Sequence, residues 1–274
     1  MQQASNRIAF IGGGNMASAI IGGLIKQGQS ASSIEVVEPL VQTRQALHEK
    51  FGITAHEQAG DFLKGVGLVV WATKPQTLRE ATLPVRPHAP EALHLSVAAG
   101  IPSDSLARWL GSERVVRSMP NTPALIGQGI TGLYAREGVS AQDRHWVEQV
   151  ASTIGEYLWV EREEQMDAVN ALSGNGPAYV FYFLEAMTQA GAEMGLSAEQ
   201  AYKLAVQTFL GASALAKAST EPPEVLRQRV TSKGGTTHAS ITSMDQNQVK
   251  ALFGQALHAG QRRARELGVE FGQD

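Results

Sequence analysis

The sequence predicts an α/β fold, a doubly wound parallel sheet over about the first 160 residues, followed by an all-α domain. Two features predict it. Up to about Glu163, short β-rich runs alternate with helical stretches, and most of these runs are continuously apolar, as strands buried on both faces are. Beyond Glu163 strand signals thin out and apolar residues recur at the helical period. A chain of 274 residues, at roughly 150 per domain, accommodates two cores, and the expected domains are residues 1–162 and 163–274.

Strands are expected at residues 7–11, 34–37, 67–71, 93–97, 114–118, 129–134 and 157–160. An amphipathic helix over residues 17–26 follows the first of them. In the second domain, long helices are expected at 177–194, 197–217 and 246–267. Ser197 with Gln200 three residues later makes a capping-box start, and Gly195 just before it closes the preceding helix. Alanines such as Ala186, Ala190, Ala201, Ala205 and Ala212 permit close helix approach and suit a tight bundle or a contact between subunits. There are no repeats, low-complexity tracts or polybasic runs.

Composition excludes several functions. Lys and Arg number 23 against 26 Asp and Glu, a formal charge of −3, so nothing favours binding to a nucleic-acid backbone. With no cysteine there is no disulfide scaffold, thiolate nucleophile, iron–sulfur cluster or Cys-ligated zinc, and no other metal site is expected. No apolar run approaches the ~18 residues of a membrane span, and the leading MQQASNR holds no signal-peptide core; a soluble, cytoplasmic protein is expected. Charged residues are 18% of the chain against about 25% in an average one, alongside 28 glycines. A surface so poor in charge is expected to be partly covered by another subunit.

Directly after the first strand come Gly12-Gly13-Gly14-Asn15-Met16-Ala17, a G-x-G-x-x-A pattern that opens a helix. Gly12 suits the tight turn, Gly14 the approach of backbone to a pyrophosphate, and Ala17 the packing of helix on strand. The helix amino end offers free N–H groups to phosphate. This strand–turn–helix context predicts a Rossmann-type dinucleotide site. Glu38 ends the second strand 24 positions after Gly14, where a carboxylate accepts from the ribose 2′-hydroxyl of NAD and repels the 2′-phosphate of NADP. Arg44, six residues on, is within reach of a phosphate, so the preference between the two stays open.

Ligands of open α/β sheets lie outside the carboxyl ends of the strands. Thr73, Lys74 and Pro75 follow the third strand, Ala98, Ala99 and Gly100 the fourth, and Asn121 lies between two prolines after the fifth. Pro75 biases Lys74 away from helix and leaves its ammonium near ribose or phosphate, and the small run at Ala98 and Ala99 leaves room for a flat ring.

Two features mark the helical domain. Leu172-Ser173-Gly174-Asn175-Gly176-Pro177 places small residues before a long helix, and Val230-Thr231-Ser232-Lys233-Gly234-Gly235-Thr236-Thr237 opens another. The second gathers hydroxyls, an ammonium and helix N–H groups, a receptor for a carboxylate. No hydrolase, P-loop or metalloprotease pattern occurs. His94 falls in a predicted strand as a core histidine, and His238 is the one histidine beside the suspected site.

Together these segments resemble the pyrroline-5-carboxylate reductase family over essentially the whole chain: IGGGNMASAI at 11–20, TKPQ at 73–76, SVAAGI at 96–101, RSMPNTPALIGQG at 117–129, ALSGNGPAY at 171–179 and VTSKGGTT at 230–237. Asn175 stands where serine is common in the family and Lys233 where proline is, and Glu38 departs from a frequent NADPH-oriented pattern. The resemblance implies a Rossmann domain, an all-α C-terminal domain that dimerises by intertwining, and dimers that assemble further. It also implies NAD(P)H-dependent reduction of a cyclic imine to L-proline. By similarity Ser232, Gly234, Gly235, Thr236 and Thr237 hold the substrate carboxylate, with the Thr237 hydroxyl, the catalytic candidate, near the ring nitrogen. Cofactor-binding candidates are Gly12, Gly13, Gly14, Asn15, Met16, Glu38, Thr73, Lys74, Pro75, Ala98, Ala99 and Asn121. Two other readings compete: a β-hydroxyacid dehydrogenase, whose lysine four residues after the helix-start glycine is missing here because Ala178 holds that place, and a dinucleotide sensor without catalysis.

Overall fold

The computed structural model describes residues 6–273; the first five residues of the leading MQQASNR segment and the last residue of the chain lie outside them. In chain order the elements of the first half are β1 (Ile8–Ile11), α1 (Asn15–Lys26), β2 (Ile34–Val37), α2 (Val41–Phe51), β3 (Ala55–His56), β4 (Leu68–Trp71), α3 (Pro75–Val85), β5 (Leu93–Ser96), α4 (Ser103–Leu110), β6 (Val115–Met119), β7 (Gly129–Ala135), α5 (Ala141–Ser152) and β8 (Gly155–Trp159). There follow α6 (Gln165–Val169), α7 (Gly176–Glu193), α8 (Ala198–Ala218), α9 (Pro223–Arg229), α10 (Thr236–Gln246) and α11 (Val249–Phe271). Among the described residues no helix is long and apolar enough to cross a membrane.

The eight strands of the described residues form one sheet in the order β3-β2-β1-β4-β5-β6-β7-β8. Strand order reverses at β1, whose neighbours are β2 and β4, both parallel to it. Alternation of side chains across β1 sends Ile8 and Phe10 into one core, with α1 and α5, and Ala9 and Ile11 into the other, with α3 and α4. Both faces of the central strands are covered, which is why β1 and β4 read as continuous apolar runs.

Three differences from the expected elements have local causes. β7 runs antiparallel to β6, because the segment between them is a short 3₁₀ turn at Thr122–Ile126 rather than the dozen or more residues a parallel crossover requires. β3 is two residues long, too short to leave a pattern. The helix expected from residue 246 starts three residues later, at Val249, since Gln248 adopts the left-handed region at φ 54° and separates α10 from α11. The capping box at Ser197 and Gln200 forms, with both reciprocal hydrogen bonds, and Gly195 ends α7 at φ 98°.

The chain divides into two compact units, one running to Asn175 and taking in the stretch from Gly260 onward, the other Gly176–Ala259. The second is helical and has little core of its own. Gly191 lets α7 meet α8, since a Cβ there would lie 2.6 Å from that of Ala201. Leu184, Ala201 and Ala205 are buried, whereas Phe181, Tyr182, Leu204, Leu210 and Leu215 are each more than half exposed. A monomer rarely leaves so much apolar side chain in water.

In the first unit His94 on β5 is a core residue that accepts a hydrogen bond from the Trp71 indole N–H at 3.3 Å. Burial, with a smaller repulsion from Arg114, pushes its imidazole down to about 4. The folded protein therefore keeps His94 neutral while the unfolded chain protonates it near 6.5. This stability is fully present above about pH 6.5 and is lost as pH falls toward 4, up to about 3 kcal/mol. We predict that His94→Asn, which keeps an acceptor for Trp71, loses less stability than the parent between pH 7 and pH 4 in urea titrations. Parallel pH dependences would remove His94 as the cause.

Candidate functional site

The glycine turn sits at the carboxyl edge of β1, where the strand order reverses. Gly12 has φ 97°, and a Cβ on it would lie 2.6 Å from the Ala72 carbonyl oxygen at the end of β4; only glycine lets the two strand ends come this close. The Gly12 N–H donates to the Val37 carbonyl at 2.8 Å, and the Ala72 N–H to that of Ile11 at 2.8 Å. A Cβ on Gly13 would meet Leu47 Cδ1 at 2.7 Å, whereas one on Gly14 would enter open space. Gly14 and Asn15 are exposed, Met16 is half-buried and Ala17 is fully buried against the sheet. Gly14 is also the N-cap of α1, with no side chain capping it. The first N–H groups of α1 thus remain without a capping side chain beside open space.

Glu38 is buried, not a surface residue. Its Oε2 accepts from the Gly13 N–H and its Oε1 from the Leu40 N–H, both at 2.8 Å. Arg44, for which a reach to phosphate was open, instead donates to the main-chain carbonyls of Glu38 and Pro39 at 2.8 and 2.7 Å. At the end of β4, the Thr73 hydroxyl is buried with no hydrogen-bond partner among the described residues. Lys74 is extended and exposed, and Pro75 starts α3. At the end of β5, Ala98 is buried in the core while Ala99 is half-buried. Asn121 spends its amide on structure, donating to the Ser173 carbonyl and accepting from the Ile130 N–H.

An orphaned buried hydroxyl, a turn that only glycine fits and open space beside the bare amino end of α1 suit an elongated phosphate-bearing ligand. Gly12, Gly13, Gly14, Asn15, Met16, Glu38, Thr73, Lys74, Pro75 and Ala99 gather at this one edge of the sheet. In the second unit, Ser232, Gly234, Gly235, Thr236 and Thr237 form a turn into α10. Gly234 has φ 77°, and the Gly235 N–H donates to the Ser232 carbonyl at 3.0 Å. α10 has no side-chain cap. Ser232, Lys233 and Thr236 are exposed, Thr237 is half-buried, and His238 is exposed on the first turn.

Sequence reasoning missed the supports behind these edges. The Ser118 hydroxyl donates to the Ser96 carbonyl at 2.8 Å, and the Ala98 N–H donates to Ser96 Oγ at 3.3 Å. Buried Arg117 pairs with Glu163 at 2.5 Å, and Glu163 also accepts from the Ser103 N–H at 2.6 Å, which ties down the loop after Gly100. The one signal for it was a charge within an apolar strand. Gly268 of α11 packs on that loop, and a Cβ there would lie 2.7 Å from the Gly100 carbonyl oxygen.

Fold and turn together define a dinucleotide-binding protein of the Rossmann type. Residues 7–100 match the family of F420-dependent NADP oxidoreductases, and residues 163–267 match the pyrroline-5-carboxylate reductase dimerisation family. Pyrroline-5-carboxylate reductase of Pseudomonas aeruginosa is 46% identical over 97% of this chain and 98% of its own length. A solved pyrroline-5-carboxylate reductase of Coxiella burnetii is 36% identical with a TM-score of 0.89, over 97% of this chain and 99% of that one. A Plasmodium falciparum pyrroline carboxylate reductase, solved with NADP bound, is 26% identical with a TM-score of 0.86, over 97% and 100% of the two chains. The chain belongs to the pyrroline-5-carboxylate reductase family.

We predict that Gly14→Ala folds normally but binds cofactor at least tenfold more weakly, because its methyl group occupies the space through which backbone meets phosphate. The melting temperature should fall by no more than about 4 °C, as for a loss near 1 kcal/mol. Unchanged cofactor affinity would move the phosphate site away from Gly14.

Proposed function

We propose that this chain reduces the C=N bond of 1-pyrroline-5-carboxylate to L-proline with NAD(P)H, as its family membership indicates. The structural observation that supports the assignment most is that the amino ends of α1, after the glycine turn, and of α10 each begin without a capping side chain. That suits a reaction needing positioning above all, because a protonated cyclic imine is already electrophilic.

In this reading the α1 amino end and Gly14 hold the pyrophosphate, and the Thr73 hydroxyl, Lys74, Pro75, Ala98, Ala99 and Asn121 shape the remaining walls. The reduced nicotinamide supplies the hydride. Ser232, Gly234, Gly235, Thr236 and Thr237 hold the substrate carboxylate against the amino end of α10, whose partial positive charge favours an anion. The Thr237 hydroxyl lies at the ring nitrogen and fixes its orientation. Lys233, a proline in much of the family, adds a cation beside the carboxylate. The dehydrogenase reading lacks its lysine, and the sensor reading gives no reason for the bare α10 turn.

The residues divide between a dinucleotide-binding domain, 1–162, and a substrate-binding and dimerisation domain, 163–274. The exposed apolar residues of α7 and α8 are covered by a second copy, so the working unit is a homodimer or an assembly of dimers, in the cytoplasm.

Two experiments test this. Steady oxidation of NAD(P)H should require added pyrroline-5-carboxylate, and Thr237→Ala should lower turnover 10- to 100-fold, about 1.4–3 kcal/mol of barrier, with cofactor affinity unchanged. Oxidation of neither cofactor would contradict the reductase reading, and full activity in the variant would remove Thr237 from it. Sedimentation should give at least twice the mass of one chain, and Leu210→Arg, placing a charge on the exposed apolar face of α8, should shift it toward the monomer. A monomeric parent would contradict the covered surface.

A further inference from the structure

We infer that Glu38 makes this chain select NADH over NADPH; the inference rests on the proposed use of a nicotinamide cofactor and adds which one. Family membership covers NAD(P)H, and the acidic residue that ends the second strand is where a Rossmann site tells the two apart. The carboxylate is held in place from two sides, by the Gly13 N–H and the Leu40 N–H, each at 2.8 Å. Because one of those donors is the middle glycine of the phosphate turn, the negative charge is fixed to the turn itself.

A carboxylate has about four acceptor sites, and these two bonds leave acceptor capacity for hydroxyl donors. A ribose with a free 2′-hydroxyl can donate to it. A 2′-phosphate, which is fully ionised or nearly so, donates nothing and meets a like charge at close range.

The arginine nearest in sequence is already engaged. Arg44, the cation nearest in sequence, bonds to the carbonyls of Glu38 and Pro39 and lies 3.5 Å from the Glu57 carboxylate. Pro39 has no N–H, the Leu40 N–H is already taken by Glu38, and the side chains of Leu40 and Val41 are exposed aliphatics. α2 starts without a side-chain cap, but the carboxylate fixed at its entrance and the engaged arginine beside it favour one cofactor by penalising the other.

Kinetics with both cofactors on the intact protein, backed by direct titration of each, test the inference. The parent should show kcat/KM for NADH at least tenfold above that for NADPH, and Glu38→Gln should shrink that ratio at least tenfold, chiefly by improving NADPH. Arg44→Gln should change both cofactors by the same factor within about twofold. A parent that prefers NADPH, a ratio unmoved in Glu38→Gln, or a loss confined to NADPH in Arg44→Gln would each overturn it. The parent ratio decides even where the variants fold poorly. If neither cofactor is oxidised, the reductase reading fails, and the two binding constants still decide this one: tighter NADH supports it, tighter NADPH refutes it.

Discussion

The structure depends on one close approach, that of the Gly12 turn to the carbonyl of Ala72 at the ends of β1 and β4. Those strands are neighbours because strand order reverses there, and a side chain between them would force the sheet edge apart. With the turn closed, Gly13 is pinned by Leu47 on one side and by the Glu38 carboxylate on the other. α1 then begins with Gly14 facing open space. Compact packing behind the turn and bare backbone in front of it are two results of the same constraint.

Behind the edge, polar contacts serve rigidity. His94 stays neutral in the core, Ser118 and Ser96 tie β6 to β5, and Arg117, Glu163 and Ser103 hold the loop that follows Gly100. Asn121 spends its amide on Ser173 and Ile130, linking its loop to the π-helical turn at Asn170–Gly174. Such bonds keep loops from drifting, which is what a reaction limited by the placement of two reactants requires. The helical unit solves a different problem: α7 and α8 meet through Gly191 and Ala201 but leave most large apolar side chains outside.

Much of this was legible in the sequence, for identifiable reasons. Strands buried on both faces leave apolar runs, and the expected strands fall within about two residues of the observed ones, β2 residue for residue. A glycine turn between strand and helix and a capping box at Ser197 are signals of local geometry, and local geometry is what sequence carries best. What was not legible depends on distant partners. Nothing near Glu38 announces that it accepts from Gly13, 25 residues away, or that Arg44 is engaged with main-chain carbonyls. Arg117 meets Glu163 across 46 residues. The two-residue β3, the antiparallel β7 and the left-handed Gln248 are set by chain reversal and packing, not by residue pattern.

The account's central claim is that the protein positions two reactants for direct hydride transfer to an imine carbon. Reaction of pyrroline-5-carboxylate with a nicotinamide cofactor deuterated at its transferable position, followed by mass spectrometry of the product, tests it most directly. The account predicts proline carrying one deuterium on the former imine carbon. Unlabelled proline, or cofactor oxidised without proline formed, would contradict it.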